Sequence, residues 1–247
     1  YLMELLIMVD ALKRASARSI VLLIPYYAYS RQDRKDQGRV PITAKLVANL
    51  IEKAGVDRVL SMDLHADQIQ GFFNIPTDHL YARPALVKAV EELDIDSLVV
   101  GAPDVGSIKL AKAFADEFKS DIVIIDKRRL DAHHVELSPI IGEVKGKTVL
   151  FVDDMCSTAT TLCKAADACK AAGATKVYAV VTHGIFVNDA LEKIEKSQIE
   201  KIYVSNTIPL LQSDFTSKVI EVSIARLFGE AVKSILYKHS ISSLFNP

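Results

Sequence analysis

Short apolar runs that alternate with helical segments constrain the fold more than any other feature of this sequence. Each run is rich in Val, Ile and Leu, as buried strands are, and the runs lie at 19–25, 57–63, 97–101, 121–126, 147–153, 176–183 and 201–205. Helical patterns accompany them, at 2–15, 41–55, 84–93, 107–119, 160–172, 188–195 and 223–238. Near-continuous apolar strands that alternate with helices are typical of parallel sheets covered on both faces. We therefore predict an α/β protein with mostly parallel sheets flanked by helices.

Composition narrows the class of protein and its partners. The chain has 247 residues, half of them hydrophobic, and a formal net charge of −1. It can therefore bury a sizeable core, and its interspersed charges form no basic stripe for nucleic acid. No apolar run approaches the roughly 20 residues that cross a bilayer. We expect neither nucleic acid nor membrane as a partner.

The spacing of the three cysteines indicates the cellular compartment of the protein. Cys156, Cys163 and Cys169 are clustered without a CxxC pattern and without a His at metal spacing. This pattern is typical of reduced intracellular thiols rather than of a disulfide framework or a zinc site. Because no signal-peptide pattern is present either, the sequence predicts a cytoplasmic protein.

Two segments bear on domain organisation. Tyr1 already lies inside an apolar helical pattern, so we expect a segment upstream of it to be missing. No linker rich in Gly, Ser or Pro separates the strands and helices, and any domain boundary must therefore be tight. The segment NIPTDHLYARP (74–84) is the best candidate for that boundary.

The segment VLFVDDMCSTATTL (149–162) points most directly to a ligand. In open α/β sheets, ligands lie beyond the carboxyl ends of the strands, and this strand is followed by Asp153, Asp154 and then a hydroxyl-rich turn. Backbone N–H groups at a helix N-terminus bind phosphate, and adjacent carboxylates accept hydrogen bonds from a sugar diol. The segment therefore predicts a ribose-phosphate site. The alternatives are a simple helix cap at Ser157 or Thr158 and an acidic pair that binds a metal.

This segment resembles the ribose-phosphate loop of phosphoribosyltransferases and of ribose-phosphate pyrophosphokinases. Further motifs resemble only the pyrophosphokinase family, and they lie at 26–51, 62–81, 101–111 and 124–129 and in the C-terminal ISSLFNP. The resemblance covers essentially the whole chain. A phosphoribosyltransferase that uses the diphosphate as its substrate would explain only residues 149–162.

The resemblance implies an enzyme that transfers the diphosphoryl group of ATP to the 1-hydroxyl of ribose 5-phosphate. The products would be 5-phosphoribosyl 1-diphosphate and AMP, for nucleotide biosynthesis, and Mg²⁺ would be required. It also implies two phosphoribosyltransferase-like domains, with boundaries at 1–80 plus 236–247 for the first and 81–235 for the second. Self-association, as a hexamer built from dimers, is implied as well.

The family match assigns a role to individual residues. The catalytic residues implied are Lys127 and Arg129. The ATP-binding residues implied are Arg31, Gln32, Asp36 and His65, and the metal-binding residues are His65, Asp104 and Asp63. The ribose 5-phosphate site implied consists of Asp104, Asp153, Asp154, Ser157, Thr158, Ala159, Thr160 and Thr161.

Thr160 departs from the family pattern, which usually has Gly there. If this position requires a positive φ, a β-branched residue is costly. A regulatory homologue without catalytic activity, assembled with active subunits, is the alternative function. Such relatives tend to lose catalytic residues, whereas Lys127, Arg129, His65 and Asp104 are all present.

Overall fold

Two compact units make up the chain in the computed structural model. The model describes residues 1–91, 93, 95, 97–125, 139–211, 216–241 and 244. Internal contacts group Tyr1–Tyr81 with Arg226–Pro247 in the first unit and Ala82–Ala225 in the second. No helix in these described ranges is both long and apolar enough to span a bilayer.

The first unit contains a three-stranded parallel sheet, in the order β1-β2-β3. Its elements up to residue 81 are α1 (Leu2–Arg14), β1 (Val21–Ile24), α2 (Thr43–Ala54), β2 (Arg58–Met62), a 3-10 helix (Asp67–Phe72) and β3 (Thr77–Leu80). The apolar positions of α2 explain its packing, because Ala44, Val47, Ala48 and Ile51 share one buried face. Gly55 ends α2 in the left-handed region, with φ 101°.

The second unit contains a seven-stranded sheet, in the order β10-β9-β8-β7-β4-β5-β6. Its elements are α3 (Arg83–Glu91), β4 (Leu98–Ala102), α4 (Ile108–Phe118), β5 (Asp121–Ile125), β6 (Ile140–Ile141), β7 (Thr148–Cys156), α5 (Thr160–Ala171), β8 (Lys176–Gly184), α6 (Ala190–Lys196), β9 (Lys201–Ser205) and β10 (Val219–Val222). Every pair of neighbouring strands is parallel except β5 and β6. The carboxyl ends of β4 and β7 therefore meet at one edge of the sheet.

The predicted α/β architecture is confirmed, but three short strands and one strand end were not predicted. The prediction omitted β3, β6 and β10, and β3 lies inside the segment proposed as a boundary. The strand β7 continues to Cys156, beyond its predicted end at Asp153, so Asp154 also belongs to the strand. The extra length follows from pairing, because β8 stays in register with β7 up to Gly184.

The last helix, α7 (Ala225–Leu236), corrects the position of one predicted boundary. The sequence analysis placed a boundary between residues 235 and 236, which would cut this helix one residue before its end. The contacts instead assign the chain from Arg226 onward to the first unit. A helix is held together by its own hydrogen bonds, and this boundary accordingly lies at its first residue, Ala225, rather than near its end.

Gly101 in β4 lies against the ring of Phe151, and this contact gives a stability prediction. A Cβ atom at Gly101 would lie 2.6 Å from a ring carbon of Phe151 and 3.2 Å from a methyl group of Val149. We expect Gly101→Ala to lower the free energy of unfolding by about 1–3 kcal/mol, because overpacking forces the buried ring to move. Urea denaturation measures the change.

Gly229 in α7 provides the matched control, because a Cβ atom there meets no atom within 4 Å. Gly229→Ala should stabilise the protein by about 0.5–1 kcal/mol, since alanine loses less conformational freedom than glycine when a helix forms. Equal stabilities for Gly101→Ala and the unmodified protein would show that Phe151 adjusts without cost.

Candidate functional site

The turn between β7 and α5 is built around Ala159. Ala159 has φ 58°, in the left-handed region, and its carbonyl oxygen accepts the first helical hydrogen bond of α5 from the N–H of Cys163 at 2.9 Å. The alternative of a simple helix cap at Ser157 or Thr158 is wrong, because Ala159 occupies that position and provides no side-chain acceptor. The N-terminus of α5 thus has no side-chain cap, which suits it to bind an anion.

The positive φ in this turn lies at Ala159 and not at Thr160. Thr160 is the first residue of α5, so its β-branched side chain carries no left-handed strain. The strain is borne by Ala159, and for a non-glycine residue it costs roughly 1–2 kcal/mol. The Ala159 methyl group is buried in the core of the second unit.

Backbone groups after β8 hold the start of the turn in place. The N–H groups of Ile185 and Phe186 donate to the carbonyl oxygen of Cys156 at 3.0 and 3.1 Å. The N–H of Val187 donates to the carbonyl oxygen of Ser157 at 3.0 Å. These contacts were not predicted, since they join segments far apart in sequence through backbone atoms that every residue possesses.

Three carboxyl groups come together beside this turn. Asp153 and Asp154 lie near the end of β7, and Asp104 follows the neighbouring strand β4. The Oδ1 atom of Asp153 accepts the N–H of Asp154 at 3.0 Å, and Oδ1 of Asp104 accepts the N–H of Gly106 at 2.9 Å. Burial, and then the charges of Asp154 and Asp104, raise the pKa of Asp153 to about 8.

The acidic groups include a candidate ligand for Mg²⁺. Among the residues that the structure describes, no three His, Cys, Asp or Glu side chains are arranged to hold a metal ion. Mg²⁺ is commonly held by only one or two carboxylates, together with water and substrate phosphates. Asp104 fits that requirement, because it provides hard oxygen donors and its repulsion with Asp153 favours a cation nearby.

The turn after β2 carries two more candidates in the first unit, Asp63 and His65. Asp63 is buried, has φ 38° and donates its N–H to the carbonyl oxygen of Leu80 at 2.9 Å, whereas His65 is exposed. Between them, the N–H of Leu64 donates to Nε2 of buried His79 at 2.9 Å. The His79 ring proton is therefore on Nδ1, which lies 3.5 Å from a carboxylate oxygen of Asp67.

His79 was not predicted to matter, and its contact leads to a second stability prediction. His79→Phe should lower the free energy of unfolding by about 1–3 kcal/mol, because it leaves the buried N–H of Leu64 without an acceptor. In contrast, His79→Gln retains a side-chain acceptor and should recover much of the loss. Urea denaturation compares them, and a fully stable Phe variant would show that the Leu64 N–H finds another acceptor.

The loop after β1 carries the remaining candidates of the first unit. Arg31, Gln32 and Asp36 have exposed side chains. The backbone of Gln32 is fixed, since its N–H donates to the carbonyl oxygen of Tyr29 at 2.9 Å and its own carbonyl accepts from Ala44 at 3.1 Å. Because β1 and β2 are parallel neighbours, this loop and the turn with Asp63 and His65 leave the sheet at the same edge.

The catalytic candidates follow β5. Lys127 and Arg129 lie outside the described residues, which stop at Ile125 and resume at residue 139. In the sequence, they come directly after the strand that neighbours β4.

Known proteins match this chain over nearly its full length. Residues 1–55 match the family model described as the N-terminal domain of ribose phosphate pyrophosphokinase, and residues 132–246 match the phosphoribosyl synthetase-associated domain. A ribose-phosphate pyrophosphokinase of Chlorobaculum tepidum is 55% identical over 246 residues, which cover 99% of this chain and 76% of that protein. The ribose-phosphate pyrophosphokinase of Wolinella succinogenes is 50% identical over 244 residues, which cover 99% of this chain and 78% of that protein.

A solved structure shares the fold. Phosphoribosylpyrophosphate synthetase from Mycobacterium smegmatis superposes with a TM-score of 0.91 at 38% identity, covering 96% of this chain and 78% of that one.

The fold and the site together define the class of protein to which this chain belongs. A mostly parallel sheet that carries two aspartates toward a hydroxyl-rich turn at a helix N-terminus defines an α/β protein with a candidate site for a phosphorylated ligand. With the relatives above, the chain belongs to the ribose-phosphate pyrophosphokinase family, the enzymes that form 5-phosphoribosyl 1-diphosphate.

Proposed function

We propose that this protein transfers the diphosphoryl group of ATP to the 1-hydroxyl of ribose 5-phosphate, with AMP as the second product. The observation that carries the proposal is the position of Asp153 and Asp154 directly before the uncapped N-terminus of α5. Carboxylates suit a sugar diol and the helix N-terminus suits a phosphate, so the two halves of one ligand are recognised by adjacent residues.

The ribose 5-phosphate site proposed here consists of the turn and the three aspartates. The N–H groups from Ser157 to Thr161, including those of Thr158 and Ala159, and the hydroxyls of Ser157, Thr160 and Thr161 would donate to the 5-phosphate. Asp153 and Asp154 would accept from the ribose hydroxyls, with Asp104 beside them. A sugar phosphate would therefore bind in one orientation, with its 1-hydroxyl directed away from the phosphate turn.

The ATP site proposed here uses the first unit. Arg31 would lie against the adenine or fork onto phosphate, Gln32 would hydrogen-bond a base edge, and Asp36 would assist them. His65 would contact a phosphate oxygen or a metal-bound water. The exposed side chains of this loop and its fixed backbone at Gln32 support the assignment.

The transfer step requires positive charge at the phosphorus that is attacked. The 1-hydroxyl releases its proton to solvent as its oxygen forms a bond to the β-phosphorus of ATP, while the bond from that phosphorus to the α,β-bridging oxygen breaks and AMP leaves with that oxygen. We assign Lys127 and Arg129 to neutralise the charge that develops on the transferring oxygens. For Mg²⁺ we propose Asp63 and His65 in the first unit and, for a second ion, Asp104 in the second unit; bound Mg²⁺ would supply further neutralisation of phosphate charge.

One assay tests the reaction. The protein is incubated with ATP, Mg²⁺ and ribose 5-phosphate, and AMP is separated by chromatography. AMP that forms only when ribose 5-phosphate is present supports the proposal, and omission of Mg²⁺ should abolish it. An absence of ribose-dependent AMP would contradict the proposal and favour the regulatory homologue.

We further propose that the protein acts in the cytoplasm as a homo-oligomer, a hexamer built from dimers. The family resemblance supports both statements. Light scattering coupled to size-exclusion chromatography measures the mass of the assembly, and a monomer of 27.2 kDa would contradict the second.

A further inference from the structure

Lys193 of α6 reaches the phosphate turn from a different part of the chain. Its ammonium group lies 3.3 Å from the hydroxyl oxygen of Thr160 and 2.8 Å from a carboxylate oxygen of Asp189. Because an ammonium group has no acceptor, the Thr160 oxygen accepts this hydrogen bond. The side chain of Lys193 is 37% exposed, so its charge is only partly screened by water.

The hydroxyl of Thr160 has a second donor as a neighbour. The hydroxyl of Thr158 donates to the Thr160 oxygen at 3.3 Å, so two donors converge on this oxygen. The Thr160 hydroxyl lies 3.5 Å from the carbonyl oxygen of Thr158, at the limit of a hydrogen bond. A hydroxyl has one proton and two lone pairs, and both lone pairs are engaged here. Only the proton of the Thr160 hydroxyl is left, and it can be donated to an acceptor that is better placed than the carbonyl oxygen of Thr158.

We propose that Lys193 is a positioning residue for the 5-phosphate of ribose 5-phosphate, acting through the Thr160 hydroxyl. By occupying a lone pair of Thr160, Lys193 turns its proton toward a phosphate oxygen at the N-terminus of α5. The ammonium charge strengthens that donor. The inference rests on the proposed function, and it explains why a threonine is suitable where the family usually has glycine.

Asp189 completes the arrangement by holding the lysine. Asp189 precedes α6, and Lys193 lies one helical turn further on, so the pair has the i,i+4 spacing that favours contact. The nearby ammonium group also lowers the pKa of Asp189, with the hydrogen bond from Lys193 as the main cause. The carboxylate therefore stays ionised and restricts the lysine to the side of the helix that faces Thr160.

Lys193→Met tests the inference, because methionine keeps the length of the side chain and removes its charge and donors. We expect the dissociation constant for ribose 5-phosphate, measured by isothermal titration calorimetry, to rise about three- to tenfold, the loss of one ordinary hydrogen bond. The KM for ATP should change less than about twofold. Lys193→Arg should retain most of the affinity, because the guanidinium group also donates.

Lys196 on the same helix provides the matched control. It forms an i,i+4 ion pair with Glu192, and its side chain is 73% exposed. Lys196→Met removes the same charge from the same helix, and we expect it to leave the affinity for ribose 5-phosphate unchanged. Equal losses of affinity for the two variants would overturn the inference, because they would indicate a general charge effect.

A double-mutant cycle with Thr160→Val tests the route through the hydroxyl. If Lys193 acts through Thr160, Lys193→Met should weaken binding less than about twofold once the hydroxyl is absent. Equal effects of Lys193→Met with and without Thr160→Val would overturn the inference, since the lysine would then act on the phosphate alone. Calorimetry needs no turnover, so binding that depends on Lys193 in a protein that forms no AMP would refute the proposed function and not this inference.

Discussion

Lys127→Ala is expected to lower kcat by about 100- to 1,000-fold, because transition-state charge on the transferring diphosphoryl group loses a fixed cation. Lys127 follows β5 in the sequence, and β5 neighbours the strand that ends beside Asp104. Calorimetry should show a change of less than about twofold in the dissociation constant for ribose 5-phosphate, since an interaction made only in the transition state leaves ground-state binding intact. The rate of AMP formation under saturating substrates measures kcat.

Lys112→Ala is the control for this substitution. Lys112 is exposed on α4, in the same unit, and the change removes an equal charge from a position that we assign no role. Its kcat should match that of the unmodified protein. Unchanged turnover of Lys127→Ala would remove the catalytic assignment of Lys127, and equal loss of substrate binding would instead make it a binding residue.

The elements that were predicted correctly are those whose signals are local. The helix α2 is predicted by Pro41, by apolar residues at helical spacing and by Gly55, which does adopt the left-handed conformation. In contrast, β3 contains Thr77, Asp78 and His79, and its strand conformation comes from pairing with β2. A strand that forms because it pairs with a neighbouring strand shows no strand pattern in its own sequence.

The same distinction applies to the candidate site. Asp153, Asp154 and the turn to α5 form one continuous segment, so the sequence alone predicts a ligand class and a set of residues for it, and both stay predictions. The contacts of Lys193 and His79 could not be predicted, because the fold brings together residues that are far apart in sequence. Lys193 lies 33 residues from Thr160, and His79 lies 15 residues from Leu64. The position of the left-handed residue was also missed, since Ala159 and Thr160 are adjacent and neither is glycine.

Asp153→Asn is expected to weaken ribose 5-phosphate binding and to stabilise the ligand-free protein. Above about pH 8, where Asp153 is ionised, binding should fall about 10- to 100-fold, because hydrogen bonds from the ribose hydroxyls to a charged acceptor become bonds to a neutral one. Stability should rise because burial, with Asp154 and Asp104 nearby, opposes the ionised form of Asp153. The asparagine keeps an Oδ1 atom that can accept the N–H of Asp154, so the turn geometry is retained.

The stability gain should depend on pH with a definite sign. The pKa of Asp153 is raised to about 8 in the folded protein, so the folded state binds this proton more tightly than the unfolded state does. The stability that comes from binding this proton is therefore fully present below about pH 4, and it is lost as the pH rises to about 8. Asparagine does not ionise, and the difference in melting temperature should grow from near zero at pH 4 to a positive value at pH 8. A gain of 1 kcal/mol corresponds to about 2–4 °C for a chain of this size.

The control separates this effect from the removal of a negative charge as such. Asp116→Asn removes an exposed carboxylate from α4, where solvent screens its interactions, and it should shift neither the melting temperature nor its pH dependence. Thermal unfolding at pH 4, 6 and 8 without ligand compares the three proteins. A melting temperature of Asp153→Asn below that of the unmodified protein at pH 8 would contradict the prediction, because Asp153 would then stabilise the fold. The expected result, higher stability with weaker binding, would mean that the acidic cluster is maintained at a cost to the fold because a ligand needs the charge.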